Sequence, residues 1–283
     1  MALDNPALSR NPALNGTANR TLSADELNRI YSQPSATPNR PGIDQPQQTS
    51  PQAPQIAGSD DPMTYEDTLA KTAGLFIILV ATAVVGWTFP DVAFPAAIVG
   101  LGLGLWASFK RKPSVPLYIA YAAVQGLFIG GISYVFESMW DGIVTQAVLA
   151  TLSVFAVVLL LFRSGKVRTS PKMTKIFIIA ASGYLVFSLL NFALSMFQVP
   201  GFDTMFGARD ITIAGIPLGV VIGILAILMA SYSLVMDFEF VKNGVEARAP
   251  RVYGWTAAFG LMVTIIWLYV EFLRLIAIMR GNN

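Results

Sequence analysis

The chain has 283 residues, of which 54% are apolar and 13% are charged, with a formal net charge of +2 and a mean hydropathy of +0.57. A soluble domain carries about 25% charged residues, so this composition argues against one, and the small net charge gives no basis for a nucleic-acid partner. The absence of cysteine and histidine excludes disulfides, thiolate or imidazole metal sites, and Cys- or Ser-His catalysis.

The first 62 residues differ in composition from the rest of the chain. They are rich in Pro, Gln, Ser and Asn, and they repeat Asn-Pro-Ala-Leu from Asn5 and from Asn11. Such a segment cannot bury enough apolar surface to offset the entropy of ordering. We therefore predict a disordered cytoplasmic tail over 1–62, followed by a membrane domain over 63–283.

Seven long runs without Asp, Glu, Lys or Arg follow the tail. A bilayer core roughly 30 Å thick needs about 20 apolar helical residues to cross, and hydrocarbon favours helices because they satisfy their own backbone hydrogen bonds. The sequence therefore predicts an all-α membrane protein, a bundle of seven transmembrane helices over residues 72–89, 92–109, 113–136, 142–162, 176–202, 211–236 and 252–270.

The connections between the runs alternate in their cation content. Three are basic, and they contain Lys110, Arg111 and Lys112, then five cations between Arg163 and Lys175, then Lys242, Arg248 and Arg251. Basic connections stay on the cytoplasmic side of a membrane. With seven spans, this pattern predicts a cytoplasmic N-terminus and an external C-terminus.

Glycines at four-residue spacing occur in two of the predicted spans. Such small residues let helix backbones approach closely within lipid. We expect close helix packing at Gly126 and Gly130 in the third span, and at Gly215, Gly219 and Gly223 in the sixth.

Two acids belong to membrane segments, where ionisable side chains are costly and suggest function. Asp237 follows the sixth run directly, and Glu271 follows the seventh. On antiparallel neighbouring helices, two carboxylates about 4 Å apart would repel by roughly 4 kcal/mol at an effective dielectric constant of 20. Such a pair would share one proton, sense pH without histidine, and bind Ca²⁺ transiently.

Structural interpretations of these acids stay open. Glu271 and Arg274 are spaced to pair on one helix face, and Asp237 would then lie at the headgroup level, with Glu239 beyond it. Helix geometry also predicts a depth mismatch of roughly 13 Å between the two acids. The carboxyls meet only if the backbone between the helices is irregular, for which Asn243-Gly244 is a plausible break.

Several segments together resemble the Bax inhibitor-1 family, and most closely its bacterial branch. They are Lys110-Arg111-Lys112 before the third span, Leu-Val-Met-Asp-Phe around Asp237, Leu-Tyr-Val-Glu-Phe-Leu around Glu271, and the stretch from Pro250 to Leu261. The resemblance covers about residues 63–283. It implies a seven-helix bundle in the bacterial cytoplasmic membrane that forms a pH-sensitive leak path for Ca²⁺.

The resemblance also implies roles for residues. Asp237 and Glu271 match the family's carboxylate pair, and the basic residue that holds one acid in the closed state falls among Lys110, Arg111 and Lys112. We favour Arg111 because a guanidinium grips a carboxylate bidentately. No cofactor is required, and Ca²⁺ is the expected permeant ion.

The alternative function is a non-conducting regulator. It would bind membrane proteases or other membrane proteins through the helix faces that carry the spaced glycines and through the polar N-terminal tail. We expect no enzymatic activity, because a carboxylate-based intramembrane protease needs a Gly-x-Gly-Asp type of sequence, which Val270-Glu271-Phe272 does not supply. The oligomeric state stays open.

Overall fold

Among the residues that the structure describes, seven helices are long and apolar enough to cross a membrane, which confirms the predicted fold class. The computed structural model of the protein describes residues 61–110, 112–200, 202, 204 and 206–281, so the predicted tail lies almost wholly outside the described residues. The helices are α1 (Tyr65–Thr88), α2 (Ala93–Phe109), α3 (Val115–Met139), α4 (Ile143–Arg163), α5 (Pro171–Met196), α6 (Leu218–Glu246) and α7 (Tyr253–Gly281).

Several helices extend beyond their uncharged runs at one end, whereas α5 ends at Met196, before the predicted end at 202. Helix α1 begins at Tyr65, with Thr64 accepting a hydrogen bond from the Asp67 amide as N-cap, although Asp67 and Lys71 carry charges. Helices α6 and α7 continue beyond Asp237 and Glu271. An uncharged run ends at its first charge, whereas a helix ends where its backbone hydrogen bonds end, so the two boundaries differ.

The predicted break at Asn243-Gly244 is wrong. Helix α6 continues without interruption to Glu246, and the connection to α7 comprises only 247–252. The Ala247 and Ala249 amides donate to the Asn243 and Gly244 carbonyls, so these residues close the helix end.

A short hairpin replaces the predicted start of the sixth span. Strand β1 (Thr212–Ile213) pairs antiparallel with β2 (Ile216–Pro217), and Gly215 forms the turn between them with a φ of +81°. Gly215 therefore lies outside any helix, and its predicted role in helix packing is wrong. Its positive φ suits the turn, because glycine has no Cβ to oppose it.

Helix α7 occupies the centre of the bundle. It packs against α1, α3, α4 and α6, and about half of its residues are buried. One apolar core is shared with α1 and α3, where Leu75, Ala122 and Met262 are fully buried. By contrast, no residue of α5 is buried, so this helix lies at the periphery.

Close packing occurs at the other four predicted glycines. A Cβ on Gly130 would come within 2.8 Å of the Trp87 amide nitrogen, and one on Gly126 within 3.0 Å of the Thr82 Cβ, so both glycines abut α1. Gly219 and Gly223 lie against Ile278 and Leu275 of α7. These contacts hold α1 to α3 and α6 to α7.

The segment before α1 is joined to the α6–α7 connection. The Met63 amide donates to the Ala249 carbonyl at 2.8 Å, and the Arg251 amide donates to the Asp61 carbonyl at 3.0 Å. Met63 is 1% exposed. Hydrogen bonding to the Asp67 carboxylate raises the pKa of the Arg251 guanidinium above its ordinary value.

Candidate functional site

Glu271 lies at the centre of a buried polar cluster. It is 1% exposed and accepts hydrogen bonds from the Tyr184 hydroxyl of α5 and from Arg274 Nη1 at 2.7 Å. Its second oxygen lies 3.7 Å from Arg209 Nη1. The spacing of Glu271 and Arg274 indicated their pairing, whereas Arg209 is an additional partner. Two guanidiniums therefore surround one carboxylate within the bundle.

Arg209 reaches this cluster from the connection between α5 and α6. It belongs to a 3-10 turn, Gly207–Asp210, and is 3% exposed. Its Nη2 donates to the Tyr184 hydroxyl at 3.1 Å and to Ser188 Oγ at 3.0 Å. Asn191 fixes the backbone before it, since the side chain donates to the Phe206 carbonyl at 3.1 Å and accepts from the Ala208 amide at 2.7 Å.

Sequence reasoning did not identify Arg209 as a site residue. The available signal was a lone cation in a connection that is otherwise acidic and lies on the predicted outer side. The burial of Arg209 beside Glu271 depends on the Asn191 contacts and on the geometry of the 3-10 turn. Neither has a local sequence signature.

Asp237 lies in a separate, partly open cavity. Thr264 Oγ1 donates to Asp237 Oδ2 at 2.6 Å, and a Cβ on Gly260 would come within 2.9 Å of Oδ1. The cavity has a volume of about 410 Å³, and the oxygen-bearing side chains around it are Ser108, Tyr121, Gln125, Ser233, Asp237 and Thr264. It lies between α2, α3, α6 and α7.

Gln125 adds an unsatisfied acceptor to this cavity. Its Nε2 donates to the Tyr121 hydroxyl at 3.1 Å, while its Oε1 is buried without a hydrogen-bond partner. An unpaired buried acceptor is unfavourable. The cavity therefore combines one carboxylate with a carbonyl oxygen that is free to accept.

The structure does not bring Asp237 and Glu271 together. Asp237 contacts α7 at Gly260 and Thr264, whereas Glu271 lies seven residues beyond Thr264, which is roughly 10 Å along a helix. The direct pair predicted from the sequence, and Ca²⁺ binding by both acids at once, are therefore corrected to two separate sites. The unbroken end of α6 removes the irregular backbone that contact required.

The predicted latch residues do not bond either acid where they are described. Lys110 is exposed and places its Nζ 5.6 Å from the centre of the Trp106 ring, and Lys112 is also exposed. Arg111, the favoured latch, lies outside the described residues. Within the described part of the chain, Arg209 and Arg274 are the cations that contact Glu271.

Glu239, two residues beyond Asp237 on α6, has a structural contact. It accepts a hydrogen bond from the Thr169 amide at 2.9 Å, which ties α6 to the connection between α4 and α5. Across the described ranges, no three acidic side chains lie close enough to one another to hold a metal ion together. A cation at Asp237 would therefore depend on neutral oxygens for its other ligands.

Comparison with known protein families gives a match over nearly the whole chain. The family model described as Bax inhibitor 1 like matches residues 5–281. The match includes all seven helices and most of the Pro- and Asn-rich N-terminal tail. It therefore extends beyond residues 63–283, the region that carried the resemblance. No curated protein matches the sequence.

Proposed function

The chain belongs to the Bax inhibitor 1 like family, and we propose that it is a passive cation leak with Ca²⁺ as the permeant ion. Protonation of the carboxyls of Asp237 and Glu271 controls conduction. The protein resides in the bacterial cytoplasmic membrane with its N-terminus inside, needs no cofactor, and is a transport protein rather than an enzyme.

The observation that carries this proposal is the oxygen-rich cavity at Asp237. Ca²⁺ takes six to eight oxygen ligands, and neutral carbonyl and hydroxyl oxygens serve alongside carboxylates. The cavity offers the Asp237 carboxylate, the unpaired Gln125 Oε1 and several hydroxyls. A single carboxylate attracts the ion without retaining it as a multi-carboxylate site would, which suits permeation.

Glu271 is the second station of the proposed path. Arg209 and Arg274 neutralise its carboxylate in the arrangement described, so a cation that approaches it meets two guanidiniums. We take this arrangement as the closed state. Release of Arg209 from Glu271 opens the outer half of the path, because it withdraws one of the two positive charges that an entering cation meets.

Ca²⁺ flux into proteoliposomes with an enclosed indicator dye tests the proposal. We expect Asp237→Asn to lower the flux about tenfold, which corresponds to a loss of about 1.4 kcal/mol of stabilisation of the ion, and to flatten its pH dependence. Glu239→Gln is the matched control, because Glu239 lies two residues along the same helix and bonds the Thr169 amide instead. Its flux should stay within about twofold of wild type.

The result that would refute the leak is specific. If Asp237→Asn and Glu271→Gln both conduct like wild type, with unchanged pH dependence, protonation of these acids does not control a cation path. If wild-type protein conducts no more than empty liposomes at any pH, the protein is not a leak.

The alternative regulator, which binds membrane proteases or other membrane proteins, has less support. Its proposed contact faces include Gly126, Gly130, Gly219 and Gly223, and all four pack against neighbouring helices of the same chain. A partner protein would need to bind the polar N-terminal tail or another surface.

A further inference from the structure

A second cavity lies at the predicted outer end of the bundle, with Arg209 among the residues that line it. It has a volume of about 390 Å³ and lies between α2, α3, α5, α7 and the 3-10 turn. One wall is polar and consists of Ser188, Asn191, Ser195, Arg209 and Arg274. The other lining residues are apolar, and they are Ala97, Phe128, Ile132, Phe136, Phe192 and Phe206.

The polar wall contains two guanidiniums. Among the described residues, Glu271 is the carboxylate that contacts both Arg209 and Arg274, and it is absent from the residues that surround the cavity. The Asp210 carboxylate lies in the same 3-10 turn as Arg209 and accepts from the Phe206 amide at 3.4 Å. Cationic groups that line a cavity within a membrane bundle favour an anionic partner.

Two polar atoms of this wall lack hydrogen-bond partners. Arg209 Nη1 forms no hydrogen bond in the described structure; it faces Glu271 Oε2, which is also without a hydrogen bond, at 3.7 Å, and the Arg209 side chain is 97% buried. Ser195 Oγ is also buried without a partner. A carboxylate has two oxygens that accept from guanidinium and hydroxyl groups, so one bound in this cavity would complement the two guanidiniums and the Ser195 hydroxyl of the wall.

We propose that this outer cavity binds an amphipathic organic anion, with its carboxylate on the Arg209–Arg274 wall and its apolar body against the phenylalanines. A fatty acid from the bilayer and a water-soluble carboxylate with an aromatic or aliphatic body share this chemistry. The proposal is independent of the leak, because binding requires no conduction.

Photo-crosslinking of the full chain in phosphatidylcholine nanodiscs tests the site. The probe is dodecanoate that carries a diazirine on its chain, and crosslinked peptides are located by mass spectrometry. We expect crosslinks on α3 and α5, near Phe128 and Phe192, that excess dodecanoate removes and excess dodecanol does not. Competition by phenylpropanoate as well would indicate a soluble source, and competition by dodecanoate alone a lipid source; either supports the site.

Variants separate binding from folding. We expect Arg274→Gln and Ser195→Asp each to raise the half-saturating probe concentration about tenfold, because a hydrogen bond to a charged group is lost or a repelling charge is added. Ser195 forms no side-chain hydrogen bond in the described structure, so its substitution tests the site even if Arg274→Gln does not fold. Ser138→Asp, at the exposed outer end of α3, is the matched control and should bind like wild type.

Two results would overturn the proposal. Equal competition by dodecanol and dodecanoate would show that the cavity binds apolar chains without recognising the carboxylate. Unchanged half-saturation in a folded Ser195→Asp protein, checked by its thermal unfolding midpoint, would place the anion elsewhere.

Discussion

Replacement of Glu271 by glutamine tests the charge cluster in the bundle directly. The amide keeps the shape of the side chain and one acceptor oxygen, but it leaves the Arg209 and Arg274 guanidiniums without their shared counter-ion. Removal of one partner from a buried ion pair costs roughly 3–5 kcal/mol. Since the Arg274 side chain is 26% exposed and partly solvated, we expect a value near the lower end, about 3 kcal/mol.

The thermal unfolding midpoint in detergent measures this loss. For a chain of this size each kcal/mol shifts the midpoint by roughly 2–4 °C, so Glu271→Gln should unfold roughly 6–12 °C below wild type. Arg209→Gln should lower the midpoint less, because Arg274 still pairs with Glu271. The midpoint of the double variant should fall by less than the sum of the two single decreases, since the substitutions remove interacting partners.

Glu246→Gln is the control for this measurement. Glu246 pairs with Lys242 at 3.7 Å with its side chain 59% exposed, so its loss should cost no more than about 1 kcal/mol. The reasoning fails if Glu271→Gln and Glu246→Gln unfold at the same temperature, or if the effects of Arg209→Gln and Glu271→Gln are additive.

Two further predictions concern packing and orientation. Gly130→Ala should destabilise the bundle by about 1–3 kcal/mol, because the new Cβ would meet the Ala83 carbonyl carbon at 2.7 Å; Gly102→Ala, where no atom lies within 4 Å, should be nearly neutral, and equal midpoints would contradict the α1–α3 contact. In this cysteine-free chain, Asp141→Cys should react with an impermeant maleimide from outside the cell and Lys166→Cys only after permeabilisation. The reverse pattern would invert the predicted topology.

The helix count was predictable because hydrocarbon imposes a strong constraint that charge-free runs report directly. Helix ends were less predictable, since Asp67 and Lys71 neutralise one another across the first two turns of α1 and the helix continues through them. The uncharged sequence after Ile211 hid the β1–β2 hairpin, although Gly215 and Pro217 are residues typical of turns.

The candidate site was predictable in its acids but not in their partners. An ionisable residue in a long apolar segment is visible from the sequence, so both Asp237 and Glu271 were identified. Their separation followed from helix arithmetic once α6 proved continuous. Arg209 was not predictable, because its burial depends on contacts between Asn191 and a turn that lies fifteen or more residues away.

The backbone pairing of residues 61–63 with 249–251 gives the molecule a mechanical connection. Because Met63 and Asp61 bond the segment that leads directly into α7, tension applied to the N-terminal tail reaches the central helix without first passing along α1. A protein bound to the tail would therefore exert force on α7, the helix that bears Glu271.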